Sequence, residues 1–242
     1  MILGFQLGQL ILIFGITFVG AMLQSAVGFG LGPFAVPLLV LIDPQLVPGP
    51  LLFAAVTLTT LMYLRDRSEV RFREFSWASG GRILGSMLGA YFLTVFPAQH
   101  LKPLFAALVI FAVVLSVSGL RLSLTPKNLL GAGIVSGFMG TVAAIGGAPM
   151  ALVYQHQKGA KLRGTLAAIF ILGTVVALIS LAVVGKFGLQ DIYRGLLLIP
   201  GVLIGFLFSK KAVRFLDKGY LRPAILIVTT LAALVLIADA AV

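Results

Sequence analysis

The stretch Gln24-Ser25-Ala26-Val27-Gly28-Phe29-Gly30-Leu31-Gly32-Pro33-Phe34 interrupts an otherwise apolar run from Leu7 to Leu41. A second stretch, Gly140-Thr141-Val142-Ala143-Ala144-Ile145-Gly146-Gly147-Ala148-Pro149-Met150, interrupts the run from Leu129 to Tyr154. Gly30 and Pro33 are answered by Gly146 and Pro149, each 116 positions later. Glycine lets the chain leave a helix and lets backbone approach a ligand closely. Proline suits the first position of a helix, where a missing N–H leaves no partner unsatisfied. The pattern predicts two helix breaks in apolar surroundings, with half-helices starting at Pro33 and Pro149.

Outward from these breaks the chain is apolar almost throughout. Of its 242 residues 60% are hydrophobic and only 10% are charged, where a soluble domain would be nearer 45–50% and about 25%. Further apolar runs cover Pro50–Leu64, Phe75–Phe96, Leu101–Leu120, Thr165–Val184, Ile192–Phe208 and Leu221–Ala238. Runs of this length are membrane spans, and glycine and proline are tolerated in such helices. The chain contains no cysteine, which excludes disulfides, thiolate metal sites and cysteine nucleophiles. Met1–Gln9 lacks a basic segment and a small-residue cleavage site follows nowhere, so the N-terminus is expected to stay in the mature protein.

The net charge of +11 lies between the apolar runs. Fourteen of the 18 lysines and arginines fall in the segments 65–73, 121–127, 158–163 and 210–222. The alternate loops hold only Lys102, Lys186 and Arg194. This is the positive-inside pattern; aromatic residues are not interleaved as on a base-stacking surface, so nucleic acid is excluded as a partner. The run between Lys127 and Lys158 must cross an even number of times, yet its 26 residues are short for two spans. A re-entrant hairpin, or a full helix returning by a half-helix, fits. The run 7–41 has the same form, and parity then puts both termini outside.

Gly85 and Gly89 also match Gly201 and Gly205 at an offset of 116, and Lys102-Pro103 matches Arg222-Pro223 at 120. The expected fold is therefore an all-α polytopic membrane protein built as an inverted repeat. Each half, 1–120 and 121–242, holds one broken, re-entrant helical hairpin plus three transmembrane helices, and the two form one transmembrane domain. Inverted repeats with broken helices place a substrate site at the repeat interface.

The chemistry at that interface points to an anion. The N–H groups and positive dipole ends of half-helices form an anion site without a formal charge; tight helix packing at small residues is the competing use of the glycines. The candidate ligand set is Gln24, Ser25, Gly28, Phe29, Gly30, Leu31, Gly32 and Pro33 with Thr141, Ile145, Gly146, Gly147, Ala148 and Pro149. Within it the backbone N–H groups of Phe29–Gly32 and Ile145–Ala148 are the expected donors. Gln24, Ser25 and Thr141 could equally bond freed backbone carbonyls. Tyr154 closes the second hairpin as an expected interfacial anchor. Arg82 is the one cation well inside an apolar run. It follows Trp77 by five residues, so snorkelling to the cytoplasmic surface is the expectation and anion binding the alternative. All seven carboxylates fall in loops or at span ends, and neither a proton relay nor a metal cluster is present in the pattern. No cofactor is expected.

The segments 28–37 and 144–150 resemble the duplicated glycine-rich signature of the sulfite exporter TauE/SafE family, also called the toluene sulfonate uptake permease family. The resemblance spans nearly the whole chain, with departures at Leu31 and Ala148, where glycine is frequent, and at Val153, which stands where the first repeat has Pro37. It implies a secondary transporter, an exporter of sulfite, organosulfonates or related sulfur-containing anions, in a cell inner membrane. The implied partners are a small anionic substrate and the lipid bilayer, with a homo-oligomer left open. An anion channel or structural membrane subunit is the alternative. An intramembrane enzyme is disfavoured by the absence of His-Glu-x-x-His, Gly-x-Ser-x-Gly or an intramembrane Ser/His pair.

Overall fold

The computed structural model describes residues 4–70, 72–120, 122–154, 157, 159–216 and 221–241. Arg71, Arg121, Gln155, His156, Lys158, Asp217 and Lys218, several of them used above to set orientation, lie outside the described residues.

Among the described residues ten α-helices follow one another: α1 (Leu7–Val27), α2 (Leu31–Ile42), α3 (Gly49–Asp66), α4 (Phe72–Val95), α5 (Leu101–Val117), α6 (Pro126–Ala143), α7 (Gly147–Tyr154), α8 (Gly159–Val183), α9 (Leu189–Leu216) and α10 (Leu221–Ala241). Among the described residues five stretches are long and apolar enough to cross a bilayer: Leu7–Val27, Pro44–Asp66, Ala98–Val117, Gly159–Val183 and Leu189–Lys210. The side chains are distributed for lipid. Leu84, Met87, Leu88, Tyr91 and Val95 form an exposed stripe along α4, while Thr17, Thr59, Ser86, Ser136 and Thr141 are buried. Large apolar groups outside and small polar groups inside suit a solvent as apolar as leucine itself. The chain is a multi-pass membrane protein.

Both broken runs are a full helix returning by a half-helix. α1 has 21 residues and α2 has 12, about 31 and 18 Å long at 1.5 Å per residue. α6 has 18 and α7 has 8, about 27 and 12 Å. The half-helices begin earlier than the prolines. α2 starts at Leu31 after an N-cap at Gly30, and α7 starts at Gly147. Pro33 and Pro149 therefore occupy the third position rather than the first. That position still lies in the opening turn, where no N–H has an intrahelical partner, so proline remains free of cost there.

The most extensive packing is α4 against α6, followed by α1 against α9. Glycine makes both crossings close. A Cβ at Gly81 or Gly85 would collide with the backbone of Leu130 or Ile134, and one at Gly133 or Gly137 with the backbone of Ala78 or Arg82. Likewise a Cβ at Gly201 or Gly205 would collide with Phe14, Thr17 or Phe18. Leu130 and Ile134 stand 116 positions after Phe14 and Phe18. The packing thus pairs Gly81 and Gly85 with Gly201 and Gly205, at an offset of 120. Sequence comparison at 116 had paired Gly85 and Gly89 with them.

The two ends of the bundle differ in charge. Arg65 at the end of α3, Arg163 at the start of α8 and Ser209 late in α9 gather at one end. At the other, a Cβ on Gly49 would lie 3.0 Å from Phe187 and 3.1 Å from Asp191, so the connections before α3 and before α9 meet there.

Candidate functional site

The first break opens where α1 ends. Gly28 takes a left-handed φ of 104° and donates its N–H to the carbonyl of Gln24 at 2.7 Å. Gly30 has a φ of 138°, a value L side chains rarely adopt. The Gln24 side chain then reaches forward, and its Oε1 accepts from the N–H of Leu31 at 3.1 Å. The second break uses a different closure. Ala144 sits in the left-handed region at φ 58°, its N–H bonded to Gly140 at 2.8 Å, and Ile145 donates to Met139 at 3.2 Å. The two breaks touch. A Cβ on Gly32 would collide with the carbonyl of Ala144, and one on Gly147 would lie 2.9 Å from Cβ of Phe29.

Arg82 of α4 reaches this junction. It does not snorkel: its side chain is only 3% exposed. α4 begins at Phe72, so Arg82 lies about 15 Å along the helix. Its Nη1 donates to Ser136 Oγ at 2.5 Å, and Ser136 Oγ donates in turn to the carbonyl of Gly146 in the second break. The guanidinium stacks over Phe170, with Cζ 4.9 Å from the ring centroid. Glycine makes room for it: a Cβ on Gly173 would occupy the place of Nε, and one on Gly146 would lie 2.8 Å from Nη1. Nε has no hydrogen-bond partner among the described residues, and no carboxylate there pairs with Arg82.

Beside Arg82 lies a cavity of about 40 Å³. Its wall contains Gly30, Leu31, Gly32 and Pro33 from the first break and Ala144, Gly146 and Gly147 from the second. Gln24 and Gly140 line it, α3 supplies Leu51, Leu52, Ala55 and Thr59, and α8 supplies Phe170 and Thr174. A water needs roughly 10–15 Å³ on this measure, so the space suits a compact polar guest. A buried guanidinium with one unpaired face, set against two half-helix N-termini, is an arrangement for holding negative charge.

The family model described as Sulfite exporter TauE/SafE matches residues 12–236. The chain belongs to that family. The match takes in both breaks, Arg82 and every residue of the cavity wall. The family is one of membrane transporters of the sulfite-exporter type, and membership agrees with a transporter rather than an enzyme. No curated protein and no solved structure matches the chain.

The candidate residues divide into those at the TauE/SafE chain's cavity and those behind it. Gln24, Gly30, Leu31, Gly32, Pro33, Arg82, Gly146 and Gly147 line the cavity. Gly28, Ser25, Phe29, Thr141, Ile145, Ala148 and Pro149 do not. Gly28 faces Leu166 and Arg163, and Phe29 packs on Gly147. Ile145 and Ala148 belong to the core, and Ser25 and Thr141 are buried with hydroxyls that have no partner among the described residues. Two of the expected backbone donors are already used: Leu31 N–H by Gln24 and Ile145 N–H by Met139. Tyr154 is buried at 1% among Leu129, Met150 and Ile169, not placed at an interface. Sequence reading missed Ser136, Thr59, Phe170, Gly173 and Thr174. Nothing in their spacing distinguishes them from ordinary packing positions of α3, α6 and α8.

A second polar cluster lies under the first break. Asp66, 6% exposed, accepts from Nε of Arg65 and Nε of Arg163, each at 3.1 Å. Arg65 also donates to the carbonyl of Ser25 at 2.7 Å and to Ser209 Oγ at 3.1 Å, and its guanidinium stacks on Phe206 at 5.1 Å. This network ties the end of α1 to α3, α8 and α9 at the basic end of the molecule.

Proposed function

We propose that the chain is a secondary transporter that exports small sulfur oxyanions, held beside Arg82 in the cavity between the two helix breaks. One observation carries this reading: a guanidinium buried inside the helical bundle, without a carboxylate partner among the described residues, lines the cavity where both broken helices meet. Such a charge is costly in hydrocarbon unless something compensates it, and a bound anion does so.

The architecture supports the same reading. Exchange of the two five-helix halves maps the α4–α6 crossing onto the α1–α9 crossing and the first break onto the second. We read the halves, 1–120 and 121–242, as inverted repeats with the anion on their common axis. The basic end is the cytoplasmic one by the positive-inside rule. Both termini then face outward across an inner membrane. Lys186→Cys is expected to react with an impermeant thiol reagent from outside, and Arg67→Cys only from the cytoplasm; the opposite result reverses the orientation.

The deciding experiment is sulfite efflux from proteoliposomes together with sulfite binding to the purified protein. Saturable efflux and binding are expected for the native chain, with both lost in Arg82→Gln while folding is retained. Native binding affinity in Arg82→Gln would remove the anion from this cavity. Large unitary currents in planar bilayers would make the protein a channel.

A further inference from the structure

We infer that the cavity accepts compact oxyanions and rejects zwitterions, so that an aminosulfonate is not a substrate even where its sulfonate end would fit. This rests on the assignment of the anion site to the Arg82 cavity and concerns what that site refuses.

The groups around the cavity are unbalanced between donors and acceptors. Its wall carries one cation, Arg82, and no carboxylate. Four backbone acceptors at the breaks are already engaged: Gln24 carbonyl with Gly28, Gly140 with Ala144, Met139 with Ile145, and Gly146 with Ser136. The side-chain oxygen of Gln24 holds the N–H of Leu31. Phe170 is the aromatic ring in the wall, and its face carries the Arg82 guanidinium. An ammonium therefore meets no counter-ion in the wall, and the carbonyls of Gln24, Met139, Gly140 and Gly146 and the Phe170 contact are already taken. It would also stand within a few ångströms of a second positive charge, in a space of about 40 Å³. Asp66, the buried carboxylate of the basic end, is held by Arg65 and Arg163 and lies outside the wall. Burying an uncompensated charge is among the larger penalties a binding site can impose.

Taurine and 1-propanesulfonate test this directly, because they share a heavy-atom skeleton and differ by an ammonium in place of a methyl group. Each is titrated against the purified full-length protein at pH 7, with sulfite and methanesulfonate alongside and Arg82→Gln as control. Sulfite and methanesulfonate are expected to bind and to be lost in Arg82→Gln. Propanesulfonate is expected to bind at least roughly 30-fold more tightly than taurine, the scale of an unsatisfied buried polar group. Taurine binding as well as propanesulfonate overturns the inference and leaves the anion site standing. Rejection of both, with methanesulfonate bound, means that size alone decides and overturns it too. Failure of sulfite and methanesulfonate to bind the native protein removes the site itself, and the inference with it.

Discussion

Arg82 is the residue on which the reading turns, and its placement was the least legible part of the sequence. Its distance from Trp77 favoured a side chain that escapes to the surface. Its burial depends instead on what packs around α4, and Ser136, Gly146 and Gly173, which enclose it, carry no signal of that role in the sequence. A fork held by Ser136 and Phe170 is not reproduced by an ammonium, which lacks the planar donor geometry. Arg82→Lys is therefore expected to weaken sulfite binding by roughly 10- to 100-fold, the worth of a charge-assisted hydrogen bond, with little change in melting temperature. Isothermal titration beside a thermal melt measures both; unchanged affinity would show that charge alone suffices. Gly173 offers a test that leaves the arginine in place. Its added Cβ would occupy the position of Nε, so Gly173→Ala is expected to displace the guanidinium and abolish binding. Gly131→Ala, a helical position with nothing within 4 Å, is the matched control and is expected to bind normally. Equal affinity in the two variants would place the anion away from Arg82.

At the scale of elements, the breaks were the most legible feature. Glycine followed by proline inside an apolar run has few other uses, and the repeated spacing from Gly30-Pro33 to Gly146-Pro149 located both half-helices within two residues. How each break closes was not legible. One uses a glutamine side chain, the other an Ala144 in the left-handed region, and both closures consume donors that sequence reading had assigned to the ligand. Beyond the breaks, glycines four apart match equally well at 116 and at 120, and the contacts of Gly81, Gly85, Gly201 and Gly205 with α6 and α1 favour 120. The connection from α3 to α8 is electrostatic. Asp66→Ala leaves two guanidiniums without their shared acceptor, beside the end of α1. Removing one partner of a buried pair costs about 3–5 kcal/mol, and the partial exposure of both arginines lowers this to about 1–3 kcal/mol. Thermal unfolding in detergent is expected to record that loss, and an unchanged melting temperature would show the network to be dispensable for stability.

The whole molecule was legible as a class: helical and multi-pass. The carboxylates, too, stay out of the cavity wall. A carrier with no acidic group at its site needs no proton to complete the transport step. A monoanion inside a cell at negative potential is driven outward by about 2.3 kcal/mol per 100 mV. Efflux from proteoliposomes is therefore expected to accelerate when the lumen is made negative with a potassium diffusion potential, and to proceed without a pH gradient. Efflux indifferent to voltage but halted by collapse of a pH gradient would require a proton carrier that this reading lacks. The glycine crossings add a mechanical consequence. Backbone against backbone, α4 cannot slide on α6, nor α1 on α9, without breaking the contacts at Gly85, Gly137, Gly201 and Gly205. Each pair joins a helix from one half of the chain to a helix from the other. A motion that leaves these contacts intact carries α4 with α6 and α1 with α9, so it cannot separate the first half of the chain from the second.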